Sequence, residues 1–269
     1  MDLNLRGRHA VVVGGASGIG RAAAEAFAAE GADLAIWDVS PDVAAVARDV
    51  HERFGVRCLG NVTDVTDEAG VRDAARRTAA EFGAIEHVVH AAAIGSGRFG
   101  FPFTNLEPRD WRRILEVNIL GMVHVVHATV DLVAARPGGT YVFLASVAGQ
   151  IGSQTDPPYS ASKAANINFA QCVAKDLAPR GVRVNTVCPG MVQTPLNRSV
   201  WQAWHDRQPP AGRLSYEDWA GEKIRSLVPL GRWQTAADVA DMIVFLSSAR
   251  SAQVTGQTIN VDGGFVMHW

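Results

Sequence analysis

A chain of 269 residues with 48% hydrophobic and 19% charged residues is too apolar to be disordered, and it is long enough to bury most of its apolar surface. A formal net charge of −2 gives no electrostatic case for nucleic acid or an anionic membrane surface, so a small molecule is the expected partner. Cys58, Cys172 and Cys188 show no Cys-x-x-Cys pairing and no neighbouring histidine ligands, which excludes a zinc site by pattern and points to reduced thiols in a cytoplasmic protein.

The first apolar run, after His9, is only about four residues long, too short for a signal h-region or a membrane span. From there β-type runs alternate with amphipathic stretches. His9 to Gly14 precedes a helix over Arg21 to Glu30, Asp33 to Trp37 precedes Val43 to Arg53, and Val56 to Leu59 precedes Glu68 to Phe82. The rhythm continues with a strand at Ile85 to Ala92, a helix around Trp111 to Ala135, a strand at Thr140 to Ala145, a helix over Tyr159 to Leu177, and strands at Val182 to Val187 and Thr258 to Val261. About seven near-continuously apolar strands alternating with helices predict an α/β fold, a doubly wound parallel sheet of Rossmann type. No linker, repeat or second core divides residues 1–269, so one dinucleotide-binding and catalytic domain is expected. Residues 191–230 break the rhythm with Pro195, Pro209, Pro210 and Gly212, and they read as a helical lid over a site. The lid carries Trp201, Trp204 and Trp219, which either face a ligand or pack the insertion onto the body.

Val11-Val12-Val13 leads into Gly14-x-x-x-Gly18-x-Gly20 and an alanine-rich helix. Glycines there permit a tight turn, let the backbone approach phosphate oxygens, and aim helix N–H groups at a diphosphate. Asp38, ending the second strand, can accept bonds from the two hydroxyls of an adenosine ribose and would repel a 2′-phosphate. Ala16, Ser17, Val39 and Ser40 supply no cation for that phosphate, with Arg21 a possible exception. NAD(H) is therefore expected over NADP(H).

Tyr159 and Lys163 are four residues apart in a helical stretch, so the ammonium can sit beside the phenol. A phenol of pKa about 10 becomes a base near neutrality only if roughly 4 kcal/mol of differential stabilisation comes from that ammonium and a bound cationic ring.

With Ser146 upstream of Tyr159-x-x-x-Lys163, behind the glycine turn, Asp38 and Asn118, the sequence resembles the short-chain dehydrogenase/reductase family over essentially its whole length. The resemblance implies Tyr159 as general acid/base, with Lys163 lowering its pKa and binding the nicotinamide ribose. It implies Ser146 as a hydrogen-bond partner of the substrate oxygen and Asn118 as part of a helix that supports a water-linked proton relay to Lys163; a plain bond from the Asn118 amide to a backbone carbonyl is the alternative. It also implies cofactor contacts from Gly14, Ser17, Gly18, Ile19, Gly20, Asp38, Asn61, Val62, Ala91 and Ala92. Tyr159, Lys163, Pro189, Gly190, Val192 and Thr194 complete that set around the nicotinamide. Three positions depart from the family pattern: Val13 replaces a threonine, Asn61 stands for an adenine-contacting aspartate, and His90-Ala91-Ala92-Ala93 replaces Asn-Asn-Ala-Gly.

The implied reaction is hydride transfer between a secondary alcohol and NAD+. Gln193, Asn197, Arg198, His205 and Arg207 in the lid suggest a polyol, sugar or small hydroxyketone, with a cyclic or steroid-like ketone as alternative. A non-catalytic NAD-binding regulator is disfavoured because all four catalytic positions are filled, and a sugar-nucleotide epimerase by the turn spacing. Family members are usually homotetramers, and Phe265-Val-Met-His-Trp269 is apolar enough to lie at a subunit contact.

Overall fold

The computed structural model describes residues 2–153 and 155–267. Seven strands form one parallel sheet: β1 (His9–Val13), β2 (Asp33–Asp38), β3 (Cys58–Val62), β4 (His87–His90), β5 (Thr140–Leu144), β6 (Arg183–Pro189) and β7 (Thr258–Val261). Their spatial order is β3-β2-β1-β4-β5-β6-β7, so the order of strand addition reverses between β1 and β4 and opens a crevice at their C-terminal ends. This is the doubly wound Rossmann architecture expected from the alternating pattern.

Helices cover both faces because the strands are apolar on both. On one side α1 (Gly18–Ala29), α2 (Val43–Phe54) and α9 (Ala236–Ser247) bury Phe27, Val50 and Ile243 against Val12, Ile36 and Val142. On the other, α3 (Glu68–Phe82), α5 (Gly121–Val133) and α6 (Pro157–Leu177) bury Val71, Met122 and Val173 against Val11, Trp37 and Phe143. Each such side chain contributes roughly 1.5–3 kcal/mol by leaving water. Left-handed glycines, Gly55 at φ 71° and Gly83 at φ 76°, stop α2 and α3 before β3 and β4.

The helix read around Trp111 to Ala135 is two helices, α4 (Pro108–Leu115) and α5, joined by one π turn over Glu116–Leu120. By length and composition Pro108–Val133 could cross a membrane, yet Val117, Met122, Val125 and Val133 are buried against the sheet and α6, as in a core helix. The insertion expected over 191–230 holds α7 (Pro195–His205) and α8 (Tyr216–Leu227), which share a small core of their own. In the C-terminal segment Met267 is exposed, and His268 and Trp269 lie outside the described residues.

β3 starts two residues later than the apolar run suggests and reaches Val62. Its register pairs Trp37 with Asn61 and Asp38 with Val62, because Gly60 lets the strand pass close to Val43, whose carbonyl oxygen would lie 2.5 Å from an added Cβ. That extension places both Asn61 and Val62 within the strand.

Candidate active site

A cavity of about 650 Å³ fills the crevice between β1 and β4. Its floor is the glycine turn. Gly14 has φ 79°, and a Cβ there would lie 2.5 Å from Ala92 N; a Cβ at Gly20 would collide with the Gly14 carbonyl. Side chains at either position would push the turn off the β4 loop and close the cradle. Ser17, Gly18, Ile19 and Gly20 place the N-terminal turn of α1 on the wall, where unpaired N–H groups suit an anion.

Asp38 ends β2 at the same wall, its Oδ2 accepting from Ala16 N at 2.9 Å and its Oδ1 from Ser40 N at 2.9 Å. These bonds hold a carboxylate where ribose hydroxyls can reach it. Arg21, the one cation nearby in sequence, is committed to Glu25 at 3.0 Å and Asp49 at 2.7 Å.

Beside Asp38 the wall is formed by Thr63, Asp64, Val65 and Arg113, whereas Asn61 and Val62 do not line it. Asp64 and Val65 on this wall lie three residues beyond the expected contacts at Asn61 and Val62, because β3 runs on to Val62. Asn61 lies within β3 with a buried, unpartnered Nδ2, and Val62 is exposed. Thr66 N and Oγ1 donate to Asp64 Oδ1, and these bonds hold its carboxyl below the usual range; Arg113 donates to Thr66 Oγ1 at 3.2 Å.

At the other end, α6 delivers Tyr159 and Lys163, and the turn after β5 delivers Ser146; all three line the cavity. Gly149 makes that approach possible, since a Cβ on it would lie 2.6 Å from the Lys163 carbonyl carbon. Lys163 is fully buried, its Nζ 5.5 Å from the Tyr159 ring centroid and donating to Leu144 O at 2.6 Å. Burial pulls its ammonium down to about 8.

The phenol behaves otherwise than the Tyr159–Lys163 spacing suggests. Burial pushes the Tyr159 pKa up, with the Ser146 hydroxyl working in the opposite direction. The ammonium is spent on the Leu144 carbonyl rather than on the phenol, so desolvation wins and the neutral form is favoured.

Asn118 sits in the π turn, completely buried, and does not line the cavity. Its Oδ1 accepts from Ile94 N at 2.9 Å, and its Nδ2 donates to Ile94 O and to Ser162 Oγ, both at 2.9 Å. The amide thus ties the loop after β4 to α6, which is the backbone-bonding alternative. Its main-chain carbonyl is met by the Asn166 amide nitrogen at 2.9 Å, a partner the sequence did not signal. Asp156 was equally unsignalled. Buried just before α6, it accepts from Ser96 N at 2.7 Å and pins the same loop, and burial raises its pKa.

Ala91, Ala92, Pro189, Gly190, Val192 and Thr194 line the cavity as expected. His90 takes the place of a bracing amide without doing its work: Nε2 is buried and unpartnered, and burial, then the Lys163 charge, pulls the imidazole down to about 3.

Of the five polar lid residues singled out from the sequence, Asn197 lines the cavity, beside Leu196, Ser199 and Val200, whereas Gln193, Arg198, His205 and Arg207 do not. The tryptophans pack the insertion. Trp219 and Tyr216 are buried, with ring centroids 6.2 Å apart; Trp204 lies 6.3 Å from Trp219, and Trp201 meets Tyr216 at 5.8 Å.

Residues 14–266 match a family model described as enoyl-(acyl carrier protein) reductase. The chain is 31% identical over 265 residues to the 3-oxoacyl-(acyl-carrier-protein) reductase of Thermotoga maritima, covering 98% of this chain and 100% of that one. It is 33% identical to the D-threitol dehydrogenase of Mycolicibacterium smegmatis, covering 99% and 95% respectively. The L-sorbose reductase of Gluconobacter frateurii, solved with NADPH and L-sorbose, superposes with a TM-score of 0.90 at 27% identity over 100% of both chains. A glycine cradle at the sheet's switch point, a serine, and a tyrosine and lysine one helical turn apart thus occur in a chain whose full length aligns with such enzymes, and the protein belongs to the short-chain dehydrogenase/reductase family of oxidoreductases.

Proposed function

We propose that the chain is an NAD(H)-linked oxidoreductase that interconverts a secondary alcohol and its ketone, the alcohol being a polyol, sugar or small hydroxyketone. The observation that carries this reading is the convergence of Ser146, Tyr159 and Lys163 on the cavity that also holds the glycine turn and Asp38. Gly14, Gly20 and the first turn of α1 would hold the diphosphate, Asp38 the adenosine ribose, Asp64 and Val65 the adenine side, and Lys163 with Pro189, Gly190, Val192 and Thr194 the nicotinamide end. Bound NAD+ supplies a hydride acceptor and a cationic ring.

Ser146 holds the substrate oxygen through its hydroxyl. Tyr159 takes the alcohol proton on its phenolate oxygen in oxidation and returns it to the developing alkoxide in reduction. Lys163, buried and anchored on Leu144 O, keeps a positive charge at the base of the site. The raised phenol pKa keeps Tyr159 protonated near neutrality, the form that reduction uses and that oxidation needs ionised first. Oxidation should therefore accelerate as pH rises above neutrality and more phenolate forms, while reduction does not. Parallel pH profiles of kcat/KM in the two directions test this sign, and an oxidation rate that falls with pH would contradict it.

The Asp38 carboxylate, with Arg21 committed elsewhere, favours NAD(H) over NADP(H). Catalytic efficiency with the two cofactors decides the point, and a clear preference for NADP(H) overturns it. Tyr159→Phe should lose turnover by at least about a hundredfold while retaining NADH binding, as expected for loss of a general acid/base. Ile94, Leu196 and Val200 at the substrate end support a second reading, reduction of a cyclic or steroid-like ketone. For assembly we favour a homotetramer, in keeping with the exposed Leu115 and Leu120 around the π turn and Leu230 near the C-terminal segment; a light-scattering mass near that of one or two chains would reject it.

A further inference from the structure

The lid tryptophans miss the cavity, yet they bear on it through one hydroxyl. Tyr216 is buried at the start of α8. Its ring stacks on Trp219 at 6.2 Å, faces Trp233 at 5.9 Å and takes the edge of Trp201 at 5.8 Å, with the Arg198 guanidinium 4.6 Å above it. A ring enclosed on so many sides has little freedom to turn. Its hydroxyl donates to Asn197 Oδ1 at 2.9 Å.

Asn197 is in the first turn of α7, where its backbone N donates to the Thr194 cap at 3.2 Å. Asn197 lines the cavity, and with Oδ1 engaged by Tyr216 its amide keeps Nδ2 as a donor that finds no protein acceptor among the described residues. We propose that Asn197, oriented by Tyr216, is the specificity-determining donor to a second oxygen of the substrate, on a carbon other than the one oxidised, and that the substrate is a neutral polyhydroxylated compound.

The remaining walls at that end support neutrality. Ile94, Leu196 and Val200 are apolar, Ser146 and Ser199 are uncharged, and the nearby cation, Lys163, is turned onto Leu144 O. A carboxylate would find no counter-ion there except Lys163, and leaving a buried charge unpaired is costly. A hydroxyl finds a donor.

The inference rests on the alcohol-dehydrogenase reading, and the experiment separates the two. Initial rates of NAD+ and NADP+ reduction are measured with xylitol, sorbitol and cyclohexanol for the wild type, Asn197→Leu and Tyr216→Phe. The wild type should prefer the polyols. Asn197→Leu should lower the polyol-to-cyclohexanol ratio of kcat/KM about tenfold, mainly through KM, as for loss of one hydrogen bond in a desolvated site. Tyr216→Phe keeps the packed ring and removes only the hydroxyl, so it should lower the same ratio by about threefold, with unchanged thermal unfolding. A purely structural role for either residue would depress all three substrates alike and leave the ratio fixed, which overturns the proposal. So does a wild type that oxidises cyclohexanol in preference to both polyols. Binding of NADH without turnover of any of the three alcohols would instead overturn the dehydrogenase reading, and this inference with it.

Discussion

His87 and His90 bound the four-residue strand β4, and both are buried with an unpartnered Nε2. His87 Nδ1 meets Thr140 Oγ1 at 2.8 Å, which satisfies one nitrogen only. Burial pulls the two imidazoles down to about 4 and about 3, so each is neutral in the folded state throughout the physiological range. In the unfolded chain they titrate near 6.5. Below that pH the unfolded state binds protons that the folded state refuses, and stability falls as pH drops. The loss is roughly 1.4 kcal/mol per histidine for each pH unit, or up to roughly 4 kcal/mol for the pair between pH 7 and pH 5. Urea denaturation at those two pH values measures it. In the double variant His87→Gln, His90→Asn most of the difference should disappear, and an unchanged difference would show that other groups carry it.

At the scale of elements, α9 ends at Ser247 with carbonyls that have no helical partner. Arg183, the first residue of β6, supplies one: its guanidinium donates to Leu246 O at 2.7 Å, Ser248 O at 2.9 Å, Val254 O at 3.3 Å and Ser251 Oγ at 2.9 Å. One side chain thereby joins a helix end, a turn and a strand. Arg183→Met should destabilise the fold by about 3 kcal/mol through the carbonyls it orphans, and Arg183→Lys should recover only part, since an ammonium cannot span the same acceptors. A chemical denaturation loss below about 1 kcal/mol for the methionine variant would refute this cap. Such contacts mark the boundary of what a sequence shows. The strands of the sheet are legible because their period and apolarity are local, and Gly14, Asp38, Ser146, Tyr159 and Lys163 because they recur at fixed places on that scaffold. The end of β3 is not legible, since its apolar run stops at Leu59 while Gly60 lets the strand continue close beside Val43, and Asp64 and Val65 on the cavity wall were therefore not signalled. Nor are Asn166 and Asp156, whose partners Asn118 and Ser96 lie far away in the chain, nor the inward packing of Trp201, Trp204 and Trp219. These depend on which helix faces meet, and no single stretch encodes that.

For the molecule as a whole, the crevice divides the sheet into a half built on β1, β2 and β3 and a half built on β4, β5, β6 and β7. The proposed diphosphate and ribose contacts come from the first half, at Gly14, Gly20 and Asp38, while Tyr159, Lys163 and Pro189 belong to the second. A dinucleotide held by both can bind only the assembled sheet, so its binding free energy adds to global stability. At a hundred times its Kd, NADH should stabilise the fold by about 2.7 kcal/mol, which for a chain of this size raises Tm by about 5 °C. NADPH at the same concentration should raise it much less, because its extra phosphate would face the Asp38 carboxylate held by Ala16 N and Ser40 N. In Asp38→Asn the repulsion is removed while an acceptor oxygen remains, and the two cofactors should then stabilise nearly equally. Thermal unfolding of the two proteins with each cofactor at matched concentration makes the comparison. Equal shifts in the wild type, or an NADPH shift that Asp38→Asn leaves untouched, would mean that selectivity is set somewhere other than the end of β2.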